Sequence, residues 1–159
     1  MEPQITKLLQ LGIIVEDVEE TIRHYDEDYG IGPWKRSTFD KENFPDLTID
    51  GKPSDMKALF AFCDAFGMEI ELIQPVTESA YKTWLDEHGP GLHHIAAITE
   101  GGFDKALARH KQLTGKDPWV RGQSSIGMDF AYLDLSKELG LFIELYNEDR
   151  SAQPGHPIK

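Results

Sequence analysis

Apolar and polar residues alternate over residues 9–15, as they do in a half-buried β-strand. The alternation assigns the odd-numbered residues, Leu9 among them, to one face of the strand and places Gln10 on the other. Asp17 then occupies the position of a helix N-cap, and apolar residues follow it at helical spacing. Gly30 opens a Gly-Pro segment that ends this predicted helix.

The chain continues as strands, a polar segment and a short helix. Residues 40–54 are polar and rich in turn-forming residues, so a loop or mobile lid is predicted there. The periodicity predicts three strands and a further helix, at 34–39, 56–62, 68–73 and 76–88. The histidine and glycines of residues 88–91 form a turn that suits a module boundary.

The same order of elements then begins again. A strand at 92–99, a helix over 103–114 and three strands at 118–121, 128–134 and 141–146 are predicted. Each half closes on an Ile-Glu-Leu strand, with Glu71 central in the first and Glu144 central in the second. An internal duplication of this kind is a strong signal of architecture.

We therefore predict an α+β fold in which two βαβββ modules form a curved, barrel-like mixed sheet around a central cavity. The chain is treated as one domain, residues 1–159. Within it the prediction has a first module at 6–76, a linker helix and turn at 77–90, a second module at 91–150 and a flexible tail at 151–159.

Composition excludes several classes of function. The 159 residues carry a formal net charge of −12, which leaves no basic surface for nucleic acid or anionic membranes. The single cysteine, Cys63, rules out an intrachain disulfide and fits a small core residue better than a nucleophile. Neither a signal peptide nor an apolar run of membrane-spanning length is evident. A soluble cytoplasmic protein is expected.

Four side chains at matching points of the repeat suggest a metal site. Alternation turns Glu71 and Glu144 away from their apolar neighbours, and Gln10 of the first strand corresponds to His94 of the second module. Two half-sheets facing each other would bring the four together. One imidazole, two carboxylates and an amide oxygen suit a divalent cation of intermediate hardness, and they leave positions open for substrate.

These segments resemble the vicinal oxygen chelate superfamily, which includes glyoxalase I and methylmalonyl-CoA epimerase. The resemblance covers about residues 8–147 and is carried by LGIIVEDV at 11–18, IELIQP at 70–75, GPGLHHIA at 89–96 and FIEL at 142–145. The middle two segments look most like the epimerases. The family's metal ligands fall on Gln10, Glu71, His94 and Glu144. Glutamine at the first position departs from the epimerases and resembles the eukaryotic type of glyoxalase I instead.

The resemblance implies an enzyme, a metal-dependent lyase or epimerase. A divalent ion such as Zn, Co, Ni or Mn would stabilise the enolate formed when a proton leaves a carbon next to a carbonyl or thioester. Glu144 is the first choice as catalytic base and Glu71 the second. Trp34 is expected to line the substrate cavity. The expected partner is a small-molecule substrate, and members of the superfamily are often homodimers.

Alternatives from other classes stay open. A non-catalytic binding or resistance protein would bury an aromatic ligand in the same cavity without metal. An extradiol-type dioxygenase would need two histidine ligands, and Gln10 leaves one. A coenzyme A or glutathione substrate would need cationic contacts, for which the lysines and arginines form no evident cluster.

His93 is assigned to the face opposite His94, and the remaining histidines, His24, His88, His110 and His156, are assigned to the surface.

Overall fold

The computed structural model describes residues 5–99, 102–123 and 129–147. It confirms the mixed α+β class: four helices accompany one ten-stranded, curved sheet. The strand order across the sheet is β2-β5-β6-β1-β7-β10-β9-β8-β3-β4. The predicted tail at 151–159, His156 included, lies outside the described residues, and the module limits given above stay predictions.

The first half contains seven strands and helices before the linker helix. Its elements are β1 (Ile5–Ile14), α1 (Val18–Tyr29), β2 (Lys35–Phe39), β3 (Thr48–Ile49), β4 (Lys52–Pro53), β5 (Ala58–Ala65) and β6 (Met68–Pro75). The linker helix α2 follows at Ala80–His88. Local chemistry fixes α1 as predicted, because the Asp17 side chain accepts from the Glu20 amide and Gly30 ends the helix in the left-handed conformation.

The second half repeats the order strand, helix and three strands, without the β3–β4 hairpin and with one added helical turn. Its elements are β7 (Gly91–Thr99), α3 (Phe103–Thr114), β8 (Val120–Gln123), β9 (Asp129–Leu135), the one-turn helix α4 (Ser136–Leu139) and β10 (Leu141–Tyr146). The bounds of β10 are those predicted. The single turn α4 was not foreseen.

The two halves join through their first strands. β1 pairs antiparallel with β7, and Leu11 lies opposite Ile95. On the outer sides β6 runs parallel to β1 and β10 runs parallel to β7. This arrangement is a pseudo-twofold one, and it carries the closing Glu strand of each half next to the opening strand of the same half.

The helices α1 and α3 cover the same side of the sheet, each over its own half. Val18 and Ile22 of α1 pack on Ile70 and Leu72 of β6. The equivalent cluster of the second half is formed by Phe103, Ala106, Leu107, Ala131, Ile143 and Leu145. His110 of α3 is buried with about 5% exposure, so its assignment to the surface was wrong. Its position in the helical repeat of α3 directs its side chain toward the sheet.

Aromatic side chains fill the concave face, which lies opposite α1 and α3. This cluster includes Phe39, Phe60, Tyr81, Phe130, Tyr132, Phe142 and Tyr146. Tyr81 reaches it from α2 and is fully buried. Burial of several aromatic rings makes this cluster a main source of hydrophobic stabilisation.

The segment 40–54 is a strap rather than an open loop. β3 and β4 form a hairpin whose turn residues, Asp50 and Gly51, both have positive φ. β3 also pairs with β8, at the far edge of the second half. Leu47, which precedes β3 in this strap, has its side chain buried in the aromatic cluster. The prediction of a loop missed this hairpin because its main partner is β8, more than 70 residues away in the chain.

Leu9 corrects the predicted facing of β1. The pairing register of β1 with β7 slips between Leu8 and Gln10, so Leu9 occupies a β-bulge. Its side chain therefore packs in the concave cluster with Ile14. Ile13 and Val15 keep the predicted facing and pack under α1.

Candidate metal centre

Three of the four predicted ligands meet on the concave face. One ligand atom each from Glu71, His94 and Glu144 lies within 4.8 Å of the other two. His94 Nε2 is 3.2 Å from Glu71 Oε2 and 3.3 Å from Glu144 Oε2. All three side chains are buried. The duplication therefore brings residues from both halves to one point.

Gly12 makes room for this arrangement. It lies opposite His94 in the β1–β7 ladder and next to Glu71 in the β1–β6 ladder. A Cβ atom on Gly12 would stand 1.8 Å from Cε1 of His94. The imidazole thus lies directly over the glycine backbone, which is where it must be to reach both carboxylates. A glycine in a strand often marks such a close approach.

The electrostatics of the centre favour positive charge. Burial opposes protonation of His94, but the carboxylates of Glu144 and Glu71 beside its Nε2 outweigh it and raise the pKa of His94 to about 9. Two carboxylates in a dry site hold a proton on the imidazole for the same reason that they would hold a cation.

Gln10 is next to the cluster and is held by a residue that the sequence reasoning missed. Its Nε2 donates to Glu69 Oε1 at 2.6 Å, and its Oε1 accepts from the Tyr146 hydroxyl at 3.5 Å. Glu69 is buried, with 1% exposure. The same alternation that selected Glu71 puts Glu69 on the same face, so the signal was present in the sequence.

Two buried phenols cover the centre. Burial raises the pKa of Tyr81 and that of Tyr132 well above the usual value, and the charges of Glu144 and Glu71 act in the same direction. Both hydroxyls therefore stay protonated. Tyr132 lies opposite Glu144 in the β9–β10 ladder, and its ring contacts the His94 ring edge-on at 4.8 Å.

His93 lies on the concave side, contrary to its assignment. The β1–β7 register slips again between Gly12 and Ile13, which places His93 in a second bulge. Its ring stacks on Phe142 at 4.7 Å, and its Nδ1 is 3.1 Å from Nδ1 of His94. Burial, followed by the neighbouring charge of His94, lowers the pKa of His93 well below its usual value. The His93 ring therefore packs among buried and half-buried aromatic side chains.

Trp34 is not brought to the centre. It is buried under α1 in the cluster of Val15, Val18 and Ile22, and its indole N–H donates to the Ile31 carbonyl at 2.8 Å. This position follows from the strand β2 beginning one residue later, at Lys35. Trp34 therefore packs in the core, and the predicted contact with substrate finds no support in its surroundings.

The residues present fit a divalent cation. Two buried polar atoms of the centre support this fit. Within the described part of the chain, His94 Nε2 and Glu144 Oε2 make no hydrogen bond of acceptable geometry. Nitrogen and carboxylate oxygens converging at this spacing are a common donor set for Zn and similar ions. Two carboxylates would balance the charge of such an ion.

The family model described as the Glyoxalase/Bleomycin resistance protein/Dioxygenase superfamily matches residues 9–132. No curated protein sequence matches the chain significantly. The match covers both halves of the duplicated sheet up to β9.

Solved structures share the fold at low identity. A variant of Streptomyces coelicolor methylmalonyl-CoA epimerase, in complex with 2-nitronate-propionyl-CoA, is 22% identical with a TM-score of 0.61, and the match covers 94% of this chain and 99% of that one. The epimerase of Mycobacterium tuberculosis is 19% identical with a TM-score of 0.60, over 90% and 88% of the two chains. A hypothetical protein of Bacillus halodurans is 18% identical with a TM-score of 0.59, over 93% and 98%. At this identity the likeness concerns the fold.

Within the described residues, the helices are all too short or too polar to cross a membrane.

Proposed function

The chain belongs to the glyoxalase/bleomycin resistance protein/dioxygenase superfamily, and from that premise we propose that it is a divalent-metal-dependent isomerase or lyase. The reaction proposed is proton transfer at a carbon next to a carbonyl or thioester group. The observation that carries the proposal is the buried convergence of Glu71, His94 and Glu144 within 4.8 Å.

The cation would be held by Glu71, His94 and Glu144, with Gln10 as the fourth ligand. A bound divalent ion would supply Lewis-acid polarisation of the substrate's carbonyl oxygen. In the proposal Gln10 contributes its amide oxygen, because its amide nitrogen already donates to Glu69. Zn, Co, Ni and Mn all accept such a donor set.

The proton would be carried by a carboxylate of the same cluster. Glu144 is the proposed base, which removes the proton from the carbon next to the carbonyl and returns it to the same or a neighbouring carbon. Glu71, whose Oε2 lies at a similar distance from His94 Nε2, is the second candidate. The protonated phenols of Tyr81 and Tyr132 can donate hydrogen bonds to a substrate oxygen, and the apolar surroundings exclude water.

Substrate access requires movement of the cover. Every member of the cluster is at most 4% exposed. Tyr81, which belongs to the short helix α2 between β6 and β7, is fully buried above the cluster. Movement of the Tyr81 side chain is the step that we propose for substrate entry.

Two measurements test the proposed function. Isothermal titration with Zn²⁺, Co²⁺, Ni²⁺ and Mn²⁺ should give one site per chain, and Glu144→Gln and His94→Ala should weaken it by at least about tenfold. Exchange of the substrate's α-proton in D₂O, followed by NMR, should require the metal. Methylmalonyl-CoA and the hemithioacetal of methylglyoxal with glutathione serve as reference compounds for this assay.

The control for these variants is Asp64→Asn, on β5 outside the cluster, which should leave metal affinity unchanged. Activity that is independent of metal and unaltered by Glu144→Gln would refute the proposal. A homodimer and a cytoplasmic location remain predictions, to be tested by light scattering of the purified protein and by fractionation.

A further inference from the structure

A groove of about 460 Å³ opens on the surface beside α2 and the β3–β4 hairpin. Trp84 of α2, Trp119 just before β8 and Phe142 of β10 give it an aromatic lining. Its volume lies within the range of small-molecule sites in proteins. The four proposed metal ligands are not among the described residues that line it, so the groove is separate from the centre.

The aromatic walls of the groove are held in place by stacking. Trp119 stacks on Phe142 with ring centroids 4.3 Å apart, and Trp84 stacks on His88 at 4.8 Å. Both indoles are half-buried, so each combines a fixed position with surface that remains accessible. Rigid aromatic walls of this kind gain most from a flat aromatic ligand, which can stack without loss of conformational freedom.

The rim of the groove is acidic. Asp50 at the tip of the hairpin and Glu87 on α2 both line it and are exposed. The described lining residues include no lysine or arginine. In a chain of net charge −12, this rim repels phosphates and carboxylates and attracts cations. A cationic ring substituent also gains from the faces of the two indoles.

The His93 ring connects the groove with the candidate metal centre. The His93 ring lies 5.2 Å from Trp84 and 5.2 Å from Trp119, both measured between ring centroids. On its other side, His93 Nδ1 is 3.1 Å from His94 Nδ1. A ligand seated between the indoles is thus one imidazole away from the metal ligand His94.

We propose that this groove binds a flat aromatic part of the substrate that is uncharged or cationic, while the reacting carbon enters the centre beyond His93. The inference rests on the proposed function in taking the ligand as the substrate, whereas binding in the groove does not itself require metal. The proposal argues against coenzyme A thioesters and glutathione adducts as substrates, because Asp50 and Glu87 would repel their phosphates or carboxylates.

The test uses two probes of the same ring size and opposite charge. 1-Naphthylmethylammonium and 1-naphthoate are titrated into the metal-free full-length protein and followed by calorimetry and tryptophan fluorescence. The ammonium probe should bind at least about tenfold more tightly than naphthoate. Trp84→Ala should weaken binding of the ammonium probe by about tenfold. The surface variant Glu87→Gln should reduce the difference in affinity between the two probes.

Tyr29→Ala is the matched control, since Tyr29 is an exposed aromatic residue, 75% accessible, at the end of α1. It should change neither affinity. Equal binding of naphthoate, or ammonium binding that is unchanged in both Trp84→Ala and Glu87→Gln, would overturn the inference. Zn²⁺ titration of the same proteins separates the two proposals. Trp84→Ala should keep wild-type metal affinity. If the wild-type protein binds the ammonium probe as expected but binds no metal, the proposed function is refuted and the inference about the groove is not.

Discussion

Replacing Gly12 with alanine is the smallest change that should dismantle the candidate metal centre. The added Cβ would lie 1.8 Å from Cε1 of His94 and 2.2 Å from both ring nitrogens. To restore ordinary van der Waals contact, the imidazole would have to retreat to about 3.4 Å. His94 has no exposed surface, so this movement must displace packed neighbours.

The cost in stability follows from two opposing effects. Overpacking of a dense core costs about 1–3 kcal/mol. Alanine recovers about 0.5–1 kcal/mol relative to glycine in a strand interior, and Gly12 is not among the glycines with positive φ, so alanine suits the backbone. The net loss of up to about 2.5 kcal/mol corresponds to a fall in Tm of up to about 10 °C for a chain of this size.

The cost in metal affinity is larger, because the displaced ring no longer places Nε2 between the carboxylates of Glu71 and Glu144. Zn²⁺ affinity should fall by about 100-fold or more, as expected when a ligand and its orientation are lost together. Calorimetric titration measures this fall, and thermal unfolding by circular dichroism measures the stability.

Gly91→Ala is the matched control for this variant. Gly91 begins β7, and a Cβ there meets only Trp84, at an ordinary 3.9 Å. In a His94→Ala background the Gly12→Ala change should cost less stability than it does in the wild-type protein, because the clash disappears with the ring. A Gly12→Ala protein that binds Zn²⁺ with wild-type affinity at wild-type Tm would refute the reasoning.

Three further predictions address residues around the centre and away from it. Glu69→Gln replaces the carboxyl acceptor of the 2.6 Å hydrogen bond from Gln10, and should lower Zn²⁺ affinity by about tenfold in calorimetry; an unchanged affinity would remove Gln10 from the ligand set. Burial in the folded protein is the main reason why the pKa of His110 is lowered. The free energy of unfolding should therefore decrease as the pH falls through 6.5, because the unfolded chain binds the proton more readily. His110→Gln should flatten this decrease, as measured by denaturant titrations between pH 7 and 5.5. Trp34→Phe removes one buried hydrogen bond and should cost about 1 kcal/mol in thermal unfolding while leaving Zn²⁺ and probe affinities unchanged; a weakened affinity would restore Trp34 to the site.

Patterns of short range predicted the elements well. Asp17 and Gly30 set the ends of α1 through contacts with residues a few positions away. The two Ile-Glu-Leu strands were predicted from the alternation of apolar and polar residues within each strand. The convergence of Glu71, His94 and Glu144 followed from the duplication, since equivalent positions of two halves must meet near the axis that relates them. Glu69 could have been added by the same alternation.

Features of long range were missed for a physical reason. The hairpin β3–β4 depends on its pairing with β8, and nothing within residues 40–54 specifies that partner. The facing of Leu9 and of His93 depends on the register between β1 and β7, which a single strand does not record. Trp34 was assigned to the cavity by resemblance, and packing under α1 decided otherwise.

The two bulges show that the duplication extends below the level of secondary structure. Leu9 immediately precedes Gln10, and His93 immediately precedes His94, so each half interrupts its opening strand one residue before its own proposed ligand. Each ligand also faces a small residue of the other half: Gln10 is opposite Ala96, and His94 is opposite Gly12. The halves differ at this second point, because Ala96 has a Cβ whereas Gly12 has none. This difference explains why the imidazole can lie flat across the neighbouring strand and reach both carboxylates, while the amide of Gln10 engages Glu69 along its own side of the sheet.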